Sequence, residues 1–161
     1  MTGQSRETVL AAGTIRRVQA LAVAGWPLSR QAREAGLSPS SLARLMTAAT
    51  VPIATARAVA AVYDRYSLAS PGLHGVALVH ARAARARATA EGWAPHGAWD
   101  EDTIDDPTAI PNWTGHCGTA RGVDLHERHD IPMCPPCQAA LYRRRLRNTA
   151  RERRALSTRH A

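Results

Sequence analysis

Lysine and phenylalanine are both absent from this chain of 161 residues, and tryptophan and tyrosine bring the aromatic content to only 4%. A β-sandwich core is hard to build without large side chains. Much of the 45% hydrophobic content is alanine, which favours helices packed closely through small residues. The same scarcity argues against a base-stacking RNA platform. No apolar run is long enough to span a bilayer and no hydrophobic leader is visible, so no membrane partner is expected and the cytoplasm is the expected compartment. Cysteine is scarce too. Three are present, an odd number, and in a reducing compartment a metal explains them better than disulfides do. Neither a G-x-S-x-G nor a P-loop occurs, and no enzyme is expected.

What is abundant is arginine. All 21 basic residues are arginines, and the net charge is +8. The charge is unevenly placed, +7 over residues 1–99, −6 over 100–140 and +7 over 141–161. Two basic blocks around an acidic middle point to a nucleic-acid partner, because arginine displaces counterions from phosphates and pairs bidentately with guanine edges.

Apolar residues recur at helical spacing in several stretches. Leu10, Ile15, Val18, Leu21 and Ala22 predict a helix over about 9–24, closed by Gly25. Further helices are expected at about 28–35, 39–48, 53–67 and 76–90, and a last one at about 136–156. Residues 1–8 are polar and expected to fray, and a short hairpin near Cys117 is the one strand expected. The chain is expected to be mainly α. A helix-turn-helix domain over 9–93 leads through an acidic, proline-containing linker at 94–115 to a zinc-stabilised segment at 116–140 and a basic C-terminal helix or tail at 141–161.

The stretch from Gln31 to Leu45 carries the pattern of a helix-turn-helix, within about 28–48. Ala32 is small enough for a crossing helix, Gly36 suits a turn with positive φ, and Leu37, Leu42 and Leu45 seal the two helices together. Ser38 caps the next helix and Pro39 starts it. Pro39, Ser40, Ser41, Arg44 and Thr47 then face outward, with Arg44 the first candidate for a base contact and Ser40 and Ser41 next. Arg30 and Arg33 on the preceding helix are placed to touch phosphate.

These residues, with Arg16–Leu21, Gly25-Trp26, Thr55–Asp64, Gly92–Pro95, Trp99-Asp100 and Ile104–Pro107, make residues 14–107 resemble a widespread group of helix-turn-helix proteins of actinobacteria and their phages. The resemblance implies sequence-specific binding of double-stranded DNA and transcriptional regulation. A homodimer is compatible with it. A DNA-binding accessory protein of a phage or mobile element is the alternative, and a metal-dependent nuclease is a weaker one.

Downstream, Cys134-Pro135-Pro136-Cys137 has metal-ligand spacing, since two sulfurs on one tight turn reach one ion. Cys117 can supply a third ligand. His126, nine residues after Cys117 and eight before Cys134, is the first choice for the fourth, ahead of His129 and His116. One structural zinc is therefore expected. Cys117-Gly118-Thr119, Gly122, His126 and Pro132-x-Cys134-x-x-Cys137 also resemble a short motif common in actinobacterial and phage proteins, which favours His126 over His129. Beyond Cys137, Arg143, Arg147, Arg151 and Arg154 recur at four, four and three residues, with Arg144 beside them, so a helix there would carry a basic stripe able to follow DNA phosphates.

Overall fold

Alanine-rich segments with few β-branched residues wind into helices, and the short bounds of each are set by glycine, proline and serine. The computed structural model describes residues 7–158. Residues 1–6, most of the segment 1–8 expected to fray, and 159–161, the end of the expected basic tail, lie outside the described residues, while Thr8 lies in a strand. Among those described the chain is mainly α, with seven α-helices and one two-stranded ribbon. It divides between Pro111 and Asn112 into two compact units.

In the first unit, α1 (Ala12–Ala24), α2 (Leu28–Glu34), α3 (Pro39–Leu45), α4 (Ile53–Tyr66) and α5 (Leu78–Ala90) follow one another. α1 ends at Gly25, where the Gly25 and Trp26 amides donate to the carbonyls of Ala22 and Leu21, the two bonds of a Schellman-type stop. Ala11, Val18, Ala32, Leu42, Leu45, Val51 and Val59 form one buried cluster, which locks α2 and α3 against α1 and α4. A second cluster gathers Leu21, Trp26, Val62, Tyr63, Tyr66 and Ile104.

Two details differ from the sequence reading. Residues 8–10 are not the start of α1. They form β1 (Thr8–Leu10), antiparallel to β2 (Thr50–Pro52), with Val9 opposite Val51. Leu10 therefore leaves the helical stripe and is 56% exposed. The helical period runs on into these residues, but their pairing partner lies some forty positions away and no local pattern announces it. Second, the acidic stretch reads as a linker, yet residues 94–111 belong to the first unit. Arg16 donates to the carbonyls of Ile104 at 2.7 Å, Asp106 at 2.5 Å and Ala109 at 3.0 Å, and its guanidinium lies 4.3 Å from the Trp99 ring centroid. Arg17 pairs with Asp105, and the only side chain Asp105 leaves room for at position 13 is glycine's hydrogen. Ile104 is buried beneath this strap.

The second unit is built on two helices, α6 (Ala120–Arg128) and α7 (Pro135–Thr158). In place of a hairpin near Cys117, the chain enters α6, capped by Thr119, whose hydroxyl accepts from the Gly122 amide at 3.1 Å. The core here is very small: Val123, Cys134, Cys137 and Ala140 are buried, with Cys117, Met133 and Leu141 packed against them.

Candidate metal centre and candidate nucleic-acid interface

α6 carries His126 on the side that also buries Val123, three residues earlier, so the helix brings the imidazole into the small core. The turn after α6 reverses the chain, and Cys134 and Cys137 enter at the start of α7 on one buried face. Cys117 comes from the loop before α6. That loop can approach because position 122 is glycine: a methyl group there would run into the His116 carbonyl and lie 3.0 Å from Cys117 Cα. The result is one cluster in which the ligand atoms of Cys117, His126, Cys134 and Cys137 all lie within 4.8 Å of one another.

Donors this close together could hold a metal ion. A bound zinc holds thiolates at about 2.3 Å, which sets neighbouring donors roughly 3.8 Å apart, so this cage needs to draw in only slightly. His126 Nε2 faces Cys117 Sγ at 3.6 Å, while its Nδ1–H donates to the Ile131 carbonyl at 3.2 Å. That bond fixes which ring nitrogen points inward, as ligand histidines require. Backbone amides support the sulfurs: Thr114 donates to Cys117 Sγ and Gly118 to Cys137 Sγ, each at 3.3 Å. The cysteines are all free of disulfides. Burial, reinforced by the neighbouring sulfurs, pushes the Cys134 thiol up to about 12. Burial also works against ionising Cys117, but the hydroxyl and amide of Thr114 and the His126 ring outweigh it and hold that thiol below its usual range. Sulfurs this close resist ionising together, and a central divalent ion removes that conflict. Four protein donors around one ion would complete a tetrahedron and would leave no position for a reacting water. The alternative ligands His116 and His129 are exposed.

The expected DNA-facing residues lie in the first unit and on α7. The Leu37 amide donates to the Ala32 carbonyl across a turn in which Gly36 has φ +67°. Ser38 Oγ accepts from the Ser41 amide at 3.1 Å and caps α3. Ser38, Pro39, Ser40, Arg44 and Thr47 are exposed, and Ser41 is half-buried. The Ser40 and Ser41 hydroxyls both lie within hydrogen-bond distance of Ser38 Oγ, at 3.0 and 2.8 Å. Thr47 bonds back to the Arg44 carbonyl. Arg44 and Ser41 line a groove of about 350 Å³ with Leu37, Thr50 and Thr55. Arg33 is exposed, whereas Arg30 is held by Glu34 at 2.7 Å, and Glu34 also accepts from Tyr66. Gln31, where an aliphatic residue would serve a helix-turn-helix, is buried and donates to the Trp26 carbonyl at 2.9 Å, tying the start of α2 to the end of α1.

On α7, Arg144 pairs with Asp124 at 2.9 Å and reaches Glu127 at 3.9 Å, while Arg143 donates weakly to the Gly118 carbonyl. Arg147 and Arg151 are exposed and line a groove on the helix side with Arg144, Asn148 and Arg154. Sequence reasoning placed Gly122 in the short motif but missed its steric role, which shows only once α6 is seen against the cysteine loop. It also missed that Arg16 and Arg17 are committed to the strap. Comparison with protein-family models, curated proteins and solved structures finds no match to this chain.

Proposed function

We propose that this protein is a sequence-specific DNA-binding protein, a transcriptional regulator, that reads double-stranded DNA through α3 and holds one structural zinc ion at Cys117, His126, Cys134 and Cys137. The observation that carries the DNA reading is the division of α3 into two sides. Leu42 and Leu45 are buried in the core, while Ser40, Arg44 and Thr47 are exposed on a rigidly capped helix. Arg44 is the base reader in this reading, able to pair bidentately with guanine, and Ser40 and Ser41 exchange their bonds to Ser38 for bonds to DNA. Arg33 meets phosphate. Arg30 contributes less, because it would first have to leave Glu34.

Zinc is supported by the donor set. Three thiolates and an imidazole in a closed cage suit a soft, redox-inert tetrahedral ion, and an iron–sulfur cluster usually takes four cysteines. The centre is structural in this reading, and the protein is not an enzyme.

Selection of bound sequences from random duplex DNA tests the reading. A defined motif is expected to emerge, and Arg44→Ala is expected to lower affinity for that motif by roughly ten- to a hundred-fold while leaving random DNA nearly unaffected. Equal loss on both would remove Arg44 as the base reader, and the absence of any enriched motif would remove the sequence-specific function. Elemental analysis of protein purified without chelator is expected to give one zinc per chain.

A further inference from the structure

The second unit has almost nothing apolar to fold around. Of its four buried core residues two are cysteines of the cluster, and a third cysteine packs against them. Burial of Val123 and Ala140 cannot by itself offset the conformational entropy lost in ordering two helices and their loops. The binding energy of a structural zinc becomes folding energy at such a site.

α7 depends on the same atoms. Its first turn contains Cys137 and follows Cys134, and Arg144, which pairs with Asp124 of α6, is its last side chain that is not exposed among those described. From Arg145 to Leu156 every residue is exposed. An isolated helix of about a dozen residues is marginal in water because nucleation is costly. Here like charges at Arg143 and Arg147, and at Arg147 and Arg151, stand four residues apart and weaken it further. A metal-clamped first turn removes the nucleation cost, and an anion along the arginines removes the repulsion.

We infer that the exposed arginine face of α7 is a duplex-DNA phosphate contact that forms only when the Cys117/His126/Cys134/Cys137 centre holds its metal. The ion nucleates the helix, and the helix then presents Arg147 and Arg151, with Arg144 at its base, along the phosphate backbone. This rests on the DNA-binding reading but not on α3 as the sequence reader. It makes α7 a second grip without base preference, switched on by metal. DNA is favoured over a lipid surface because the groove on this side of the helix is lined by Arg144, Arg147, Asn148, Arg151 and Arg154 with no large apolar side chain among them.

The test uses the full chain on random duplex DNA, titrated at several salt concentrations, with zinc, with a strong chelator, and as Cys137→Ser. Arg147→Ala/Arg151→Ala in the zinc-loaded protein is the second arm, and far-ultraviolet circular dichroism follows helix content throughout. Loss of two phosphate contacts is expected to make the slope of log K against log salt shallower by about 1.8. Chelation and Cys137→Ser are expected to flatten it at least as much, with a loss of helix that the double arginine variant does not show. A slope that ignores metal overturns the inference. So does a slope that responds to metal but not to the two arginines. A double variant that keeps its slope on DNA but loses binding to vesicles containing anionic lipid also overturns it and assigns the face to membranes. Because random DNA is the probe, failure of α3 to select a sequence leaves this measurement intact and is read separately.

Discussion

Asp105 and Arg17 show how a single pair can be legible in charge yet not in place. The Arg17 hydrogen bond holds the Asp105 carboxyl below its usual range against the opposing effect of burial. Its side chain is 70% exposed, so solvent limits the pair to about 0.5–1 kcal/mol. The sign follows from the lowered value. The stabilisation is fully present above the ordinary carboxylate range, near pH 4, and is lost as pH falls through the folded value. Asp105→Asn is therefore expected to lower the melting temperature of the first unit by a few degrees at neutral pH, and thermal melts of both proteins in acid should converge. A difference that persists below pH 3 would mean the pair acts through shape instead of charge. Gly122 is the corresponding residue of the second unit. Gly122→Ala forces α6 away from the His116 carbonyl and the Cys117 loop, and zinc affinity measured by competition with a chromophoric chelator is expected to drop by roughly ten- to a hundred-fold. In the sequence Gly122 is a motif position without a stated reason, and the close approach of the His116 carbonyl and Cys117 supplies one.

Helices with their own caps and stops are legible in the local sequence. α3 begins at Ser38-Pro39 because a serine cap and a proline at the first helical position need no partner from elsewhere in the chain. Ser38→Ala is expected to cost about 1 kcal/mol, and Gly36→Ala a similar amount, since φ is +67° there although the space around it is open. Urea denaturation read by tryptophan fluorescence reports both through Trp26, which is buried in the neighbouring cluster. If neither substitution moves the midpoint, the turn does not contribute to stability as described. The elements that escaped sequence reading are those whose cause is distant. β1 exists because Thr50–Pro52 lies beside it, and α6 is a nine-residue helix rich in polar side chains whose buried side is mostly a ligand, a valine and a glycine.

Between the two units the buried material differs in kind. The first buries Trp26, Leu21, Leu42 and Val18 and rests on apolar packing. The second has a very small core beside four donor atoms that could hold an ion, and on the zinc reading proposed above that ion holds it together. Chelation is therefore expected to leave a cooperative thermal transition of the first unit in place and to abolish order in the second. Limited proteolysis should cut within 112–158 when metal is removed, and resistance of that region in chelator would show that it folds without an ion.

Composition, capping residues and the Cys-x-x-Cys turn settled the helical class, the bounds of α2 to α5 to within a few residues, and the closeness of Cys134 to Cys137, because each of these depends on interactions within a few positions along the chain. Tertiary structure decided the rest. It paired β1 with β2, turned the acidic stretch into a strap held by Arg16 and Arg17, committed Arg30 and Arg144 to carboxylates, and brought Cys117 and His126, the first choice by spacing, beside Cys134 and Cys137. Those outcomes depend on which distant groups meet, and charge and periodicity are silent on that until the chain has folded.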